Sequence, residues 1–362
     1  MSRHAYKRIA IKIGSNVLTR PDGTLDITRM SALVDQIAEL HRKGIRVIMI
    51  SSGAVASGRS ELHLGDRLDS VSARQLYSAV GQAKLINRYY ELFRDHGIAC
   101  GQVLTTKENF STRRHYLNQK HCMEVMLANN VIPIVNENDT VSVTELMFTD
   151  NDELSGLIAS MMNMQALIIL SNIDGVYDGD PSIPGTRLIT DIRENDDASG
   201  GITESRSSLG RGGMATKYRI ATKVAAEGTA VIIANGKREN VLIDLLTPEK
   251  DVPHTLFHPS PEAASGLKKW IAHSEDFAKG NIIVNDGAAE AILSPVRASL
   301  LPVGVTSIDG NFEEGDIVSV SRADGKIIAW GRIGYNVDDA RRVAGEREAR
   351  PLIHSDYLYI DL

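Results

Sequence analysis

Six short runs rich in Ile, Val, Leu and Ala, separated by helix-patterned segments, set the strongest limit on what this chain can fold into. They are KRIAIKIG (7–14), IRVIMISSGA (45–54), ACGQVL (99–104), VIPIVNE (131–137), ALIILSN (166–172) and TAVIIANG (229–236). Near-continuous apolar runs, as opposed to alternating ones, suit strands covered on both faces. Between them, Ile27, Met30, Leu33, Val34, Ile37 and Leu40 recur at three- and four-residue spacings, and Gly44 closes that stretch as a helix C-cap. Residues 72–95, 113–129, 152–163 and 214–227 carry weaker versions of the same pattern. Strand and helix in alternation predict a mainly parallel sheet with helices on both sides, a three-layer α/β sandwich. Ligands of such sheets sit at the carboxyl ends of the strands.

The texture changes after residue 257. HPSPEAASG (258–266) is rich in Pro, Ser, Ala and Gly, and short runs with frequent turns follow from 277: NIIVNDG, VGVTSIDG, DIVSV and KIIAWGRIGY. The expected organisation is an α/β domain over 1–257, a linker over 258–276 and a small β-rich domain over 277–362. A length of 362 residues fits two domains.

Composition removes several function classes. With 43% hydrophobic and 24% charged residues the chain is an ordinary globular one, and no run approaches the about 18 apolar residues of a membrane helix. The N-terminal segment carries no signal-peptide pattern, so the expected location is the cytoplasm, with no membrane partner. Two cysteines, Cys100 and Cys122, cannot build a disulfide framework or a zinc site. The net charge of −6 argues against a protein that coats nucleic acid.

Five segments could carry chemistry. Lys12 ends the first strand, and Gly14 lets the backbone turn so that amides approach an anion. Ser51, Ser52 and Gly53 follow the second strand and run into a helix of small residues, a cradle for an anion or simply a tight turn. Glu137, Asp139, Asp150, Asp152 and Glu153, with Asn136, Asn138 and Asn151, form an acidic cluster that could grip an ammonium, orient a lysine or hold magnesium through water. One of Asp150, Asn151 and Asp152 could instead cap a helix beginning near Leu154, which leaves the others to explain. The stretch 171–181 is a polar break after a strand. LGRGGMATK (209–217) is a glycine-rich loop leading into a helix with Lys217 in its first turn, though not a Walker A motif. His254 and His258 are spaced i, i+4 without HExxH, and GxSxG is absent. Two lysines, two small-residue loops and one acidic cluster, with no nucleophile–base pair, are what phosphoryl transfer between two bound substrates requires.

In order along the chain, IKIGSNVL, SSGAVASG, NEND (136–139), TDNDELS, IDGVYDGDP and GRGGMATK resemble the amino acid kinase family, and within it the branch that phosphorylates glutamate. LLPVGVTSIDGNFEEGD (300–316) is similar to the PUA domain that many bacterial members of that branch carry. The resemblance implies the amino acid kinase fold with a PUA-like tail, and transfer of the ATP γ-phosphate with Mg²⁺ to the side-chain carboxylate of L-glutamate, the first step of proline synthesis. It implies that Lys12 and Lys217 stabilise the transferring phosphoryl group and that Asp152 holds both lysines. Ser52, Asp139 and Asn151 would bind glutamate, with Asn136 nearby and Asp150 a further acidic contributor. Ser171 and Asn172 would hold ATP, together with Arg211, Gly212, Gly213, Met214, Ala215, Thr216 and Lys217. Inhibition by L-proline, a homodimer or homotetramer, and hand-over of the product to glutamyl phosphate reductase are implied as well.

Three positions depart from the family's pattern: Ser171-Asn172 where many relatives have Thr-Asp, Arg211 at a usually small polar position, and Thr149 where glycine is common. Related kinases of acetylglutamate, aspartate, carbamate or UMP are the nearest rivals. An acetylated amine would leave Asp139 without an ammonium. An RNA-binding role for the tail is the rival of another class. Residues 277–362 hold 9 Lys and Arg against 13 Asp and Glu, a net of −4, which is not a basic footprint.

Overall fold

The computed structural model describes residues 6–62, 69–142, 148, 150–193, 213–261, 266–274, 277–294 and 298–360. The chain divides into two compact units, Met1–Asn109 with Asn118–Ala263, and Phe110–Leu117 with Ala264–Leu362.

The first unit is built on an eight-stranded sheet. Its strands are β1 (Arg8–Ile13), β2 (Arg46–Ser51), β3 (Cys100–Thr105), β4 (Ile132–Glu137), β5 (Ala166–Ser171), β8 (Asp191–Ile192), β9 (Ala230–Asn235) and β10 (His254–Phe257), while β6 (Val176–Tyr177) and β7 (Leu188–Ile189) form a separate hairpin. The order across the sheet is β3-β4-β2-β1-β5-β9-β10-β8. Every pairing is parallel except β9 with β10. The six apolar runs are therefore strands, and five of them are buried almost throughout. The sixth, β3, lies at the edge and is only partly covered, which explains its more polar CGQVLT sequence.

Helices cover both faces. They are α1 (Ser15–Leu18), α2 (Ile27–Arg42), α3 (Ala54–Glu61), α4 (Ser70–Asp95), α5 (Arg113–Ala128), α6 (Asn151–Met161), α7 (Met214–Ala226) and α8 (Val241–Leu245). Alternate residues of β1, Ile9, Ile11 and Ile13, join the core that α2, α4 and α8 close. Lys12, one step out of that register, belongs to the other face, where α6 packs on β1 and α7 packs on α6. The α2 apolar stripe is buried as its spacing requires, and Gly44 follows at φ +79°, the left-handed conformation that stops a helix. Among the described residues no helix is long and apolar enough to cross a membrane.

The second unit contains α9 (Gly266–Ala272), α10 (Asp286–Leu293), α11 (Val337–Val343) and a five-stranded sheet. Its strands are β11 (Gly280–Val284), β12 (Val305–Gly310), β13 (Ile317–Arg322), β14 (Ile327–Arg332) and β15 (Leu358–Ile360), in the order β12-β11-β13-β14-β15. Ile282, Val284, Val318, Val320 and Ile328 from the strands pack with Leu352 and Ile353 in its core. Trp270 of α9 is buried and donates through Nε1 to the Phe110 carbonyl at 3.0 Å.

Candidate active site

The carboxyl ends of β1, β2, β4 and β5 open into a cavity of about 660 Å³. Lys12, Ser52, Asn136, Asp139, Asp150, Asn151, Asp152, Ser171, Asn172 and Lys217, all singled out in the sequence, line it. Gly213, Met214, Ala215 and Thr216 are not among its lining residues, and Arg211 and Gly212 lie outside the described residues, as does Thr149.

At its floor one carboxylate holds two lysines. Lys12 Nζ is 2.5 Å from Asp152 Oδ1, and Lys217 Nζ donates to Asp152 Oδ2 at 2.9 Å. Helix periodicity explains the meeting. Asp152 and Gly156 are four residues apart on α6, and Lys217 and Ile220 are three apart on α7. Gly156 packs so tightly on Ile220 that an added Cβ would lie 2.7 Å from it, and Lys217 is thereby set opposite Asp152. All three charged residues are buried, Asp152 to 1% exposure. Burial alone would raise the Asp152 carboxyl, but the Lys12 and Lys217 ammoniums outweigh it and hold the group below the ordinary carboxylate range. Two cations share one anion in the Lys12–Asp152–Lys217 bridge, so the bridge itself carries one positive charge, which suits an anionic ligand.

Asp150 is the N-cap of α6. Its Oδ1 accepts from the backbone N–H groups of Asp152 at 2.8 Å and Glu153 at 3.0 Å. The helix therefore starts at Asn151, three residues earlier than expected from Leu154, because the extended Asp150 backbone can cap it there. Its other oxygen, Oδ2, is buried without a hydrogen-bond partner. Burial and the neighbouring Asp152 charge raise the Asp150 carboxyl above the usual range, against the pull of Lys12.

The amide cluster sits beside the lysines. Asn151 Nδ2 lies 2.9 Å from Ser52 Oγ and 3.1 Å from Asn136 Oδ1. Asn136 Nδ2 in turn donates to Gln82 Oε1 of α4 at 2.8 Å. Gly53, at φ +105°, turns the chain between β2 and α3, a conformation that only glycine adopts without strain. Ser171 ends β5 and Asn172 follows it, with the serine hydroxyl 3.4 Å from Asn172 Oδ1.

Sequence reading missed the part played by α4. Arg74 lines the cavity with its Nε 3.2 Å from Asp139 Oδ1. Nothing local signals this, since Arg74 on α4 and Asp139 after β4 meet only through the tertiary structure, in which α4 packs on α3. That packing is backbone to backbone: a Cβ at Gly81 would lie 1.8 Å from the Ala54 carbonyl oxygen, and one at Gly58 would lie 1.8 Å from that of Tyr77. The histidine pair has other partners. His254 Nδ1 lies 2.5 Å from the Val252 carbonyl oxygen, and His258 Nε2 is 2.8 Å from Asp191 Oδ1.

Comparison with known proteins identifies the family. Residues 7–235 match the amino acid kinase family, and residues 280–353 match the PUA domain. The chain belongs to the amino acid kinase family. Among its relatives, a glutamate 5-kinase of Bacteroides thetaiotaomicron is 63% identical over 359 residues, 99% of this chain and 100% of that one. A glutamate 5-kinase of Chlorobaculum tepidum is 43% identical over 364 residues, covering 98% of each chain. Among solved structures, carbamate kinase from Giardia lamblia bound to AMP-PNP superposes with a TM-score of 0.52 at 16% identity, over 71% of this chain and 99% of that one. Isopentenyl phosphate kinase of T. acidophilum gives 0.50 at 15% identity, over 69% of this chain and all of that one. These two show that the three-layer fold of this amino acid kinase is shared by kinases of different acceptors, and the α/β sandwich with a separate β-rich PUA unit is the fold expected from the sequence.

Proposed function

We propose that this amino acid kinase is a glutamate 5-kinase, which transfers the γ-phosphoryl group of ATP to the side-chain carboxylate of L-glutamate and releases ADP and L-glutamyl 5-phosphate. The observation that carries the reading is the Lys12–Asp152–Lys217 bridge at the floor of a cavity that also holds Asp139 and the Asn151–Ser52 pair. Near full-length identity of 63% to a glutamate 5-kinase supports the acceptor.

The chemistry follows from the charges. The attacking carboxylate is ionised at neutral pH and needs no general base, so the protein's task is to bring two anions together in line. Lys12 and Lys217, pinned through Asp152, offset that repulsion in a site where water screens little, and their charge acts most strongly on the oxygens of the group in flight. The two ammoniums hold the Asp152 carboxyl low, and as a carboxylate it fixes both lysines in place. Ser52, Asn136 and Asn151 orient the amino acid, and Asp139 recognises its ammonium. Ser171 and Asn172 border the nucleotide, with the loop leading into α7.

Magnesium fits the donor set as a lightly held ion. Among the described residues no group of three or more His, Cys, Asp or Glu side chains is placed to hold a metal. Mg²⁺ characteristically keeps its waters and the substrate's phosphates with one or two carboxylates. Asp150 Oδ2, buried and without a partner, is the carboxylate oxygen suited to it. The ion would neutralise charge on the ATP phosphates when bound.

On the same reading the enzyme catalyses the first step of proline synthesis and acts in the cytoplasm, with L-proline as its inhibitor and glutamyl phosphate reductase as the recipient of a labile acyl phosphate. A homo-oligomer belongs to the same reading, as does the division into a kinase domain, a linker over 258–276 and a PUA-like domain, a division that the family matches to 7–235 and 280–353 support. The test is ATP consumption with Mg²⁺ and L-glutamate, N-acetylglutamate, L-aspartate or UMP, with hydroxylamine to trap an acyl phosphate. Hydroxamate from glutamate alone is expected; turnover only with another acceptor would overturn the assignment.

A further inference from the structure

On α4, Arg74 lines the cavity and is held there by several ties. Its Nε is 3.2 Å from Asp139 Oδ1, and its Nη2 donates to the Ser142 carbonyl at 3.3 Å. The next residue, Gln75, donates to the Thr140 carbonyl at 2.9 Å. Helix α4 is thus clasped to the 138–142 loop that carries Asp139. The Gly58 and Gly81 contacts fix the same helix against α3, whose first turn also lines the cavity. Arg74 and Asp139 both line that cavity, with side chains only 15% and 11% exposed.

An α-amino acid presents an ammonium and a carboxylate on one carbon, so its head group is itself a pair of opposite charges. A guanidinium and a carboxylate held side by side on two rigid elements form the complementary pair. Arginine's planar fork matches a carboxylate with two parallel N–H groups, which a lysine cannot reproduce. We infer that Arg74 is a specificity residue that takes the α-carboxylate of the amino acid while Asp139 takes its ammonium, so that the head group is read as a zwitterion and the side-chain carboxylate is left for the lysines. The inference rests on the reading of the site as a glutamate kinase.

Two truncated acceptors separate the charges. 4-Aminobutanoate keeps the ammonium and the reacting carboxylate but lacks the α-carboxylate; glutarate keeps both carboxylates but lacks the ammonium. The experiment measures kcat and KM for glutamate and both analogues by hydroxamate formation, in the full-length enzyme and in Arg74→Gln and Arg74→Lys. Loss of a charged hydrogen-bond partner is expected to raise the KM for glutamate roughly 10- to 100-fold in Arg74→Gln with kcat little changed. Use of 4-aminobutanoate, which never engages the guanidinium, should move by less than about threefold, so the preference for glutamate over it collapses. Arg74→Lys should recover part of that preference, and it also serves if the glutamine variant fails to fold.

A merely structural role for Arg74, through Asp139, would weaken glutamate and 4-aminobutanoate alike because both carry the ammonium. An unchanged preference ratio in both variants, or a loss confined to kcat, would overturn the inference while leaving the glutamate kinase reading intact. Failure of the unsubstituted enzyme to form hydroxamate from glutamate would overturn both.

Discussion

Lys217 and Asp152 meet across 65 residues of sequence, the ammonium donating to Oδ2 at 2.9 Å, with Lys12 on the other oxygen of the same carboxylate. Removing that carboxylate strands two buried cations. Asp152→Asn is expected to lose about 3–5 kcal/mol of stability, the usual cost of breaking a buried ion pair from one side. Because the lysines would then lack an anion, ATP or inorganic phosphate should raise the melting temperature of the variant more than that of the unsubstituted protein. Thermal unfolding with and without the anion checks both points, and an equal shift in the two proteins would contradict the role given to Asp152.

Asp150 works in the opposite sense. Its folded-state pKa is raised above the unfolded value, by burial and by the neighbouring Asp152 charge. A raised carboxyl favours folding where it is protonated, and that contribution is lost as pH rises through the folded pKa, so at neutral pH its ionisation opposes folding. Asp150→Asn keeps an N-cap side chain and removes the charge. It should be more stable than the unsubstituted protein at pH 7, and the gain should shrink as pH falls through the raised pKa toward the ordinary value of 3.8. Turnover should fall at the same time. Denaturant midpoints over that range, with kcat at pH 7, make the measurement; a gain over the unsubstituted protein that is smaller at pH 7 than at acid pH would go against it.

Gly81 holds α4 against α3 by having no side chain. In Gly81→Ala the new Cβ would fall 1.8 Å from the Ala54 carbonyl oxygen and 2.4 Å from the Gly58 nitrogen, both backbone atoms that cannot swing aside. The expected cost is about 1–3 kcal/mol, typical of overpacking, with a higher KM for the amino acid because α4 carries Arg74 and Gln82. Thermal melts and the KM values for glutamate and ATP test this; a rise in the ATP KM alone would place the effect elsewhere.

Much of the architecture was legible because it depends on local periodicity. Strands buried on both faces have to be apolar throughout, so KRIAIKIG and ALIILSN identify themselves, and the 27–42 helix shows its stripe directly. The antiparallel β10 was not legible, since HTLF is four residues long and its direction depends on the pairing of His254 with Ala234. At the site, Lys12, Asp152 and Lys217 could be named as a set, yet their geometry rests on Gly156 meeting Ile220, a contact between two helices. Arg74 left no trace because arginine early in an amphipathic helix is ordinary, and its partner Asp139 is supplied by tertiary packing. Ser51 is a similar case: its hydroxyl lies 2.9 Å from that of the buried Tyr89, which explains a serine at the end of an apolar strand only once α4 is in place.

The most direct measurement is single-turnover formation of glutamyl phosphate, trapped as hydroxamate, at saturating ATP and glutamate in the unsubstituted enzyme, Lys12→Ala and Lys217→Ala. If the two bridged lysines stabilise the phosphoryl group in flight, each variant should lose about 10²–10³-fold in the chemical step, the usual effect of removing one preorganised group facing developing charge. Turnover at an undiminished rate in either variant, with both substrates bound, would contradict that role.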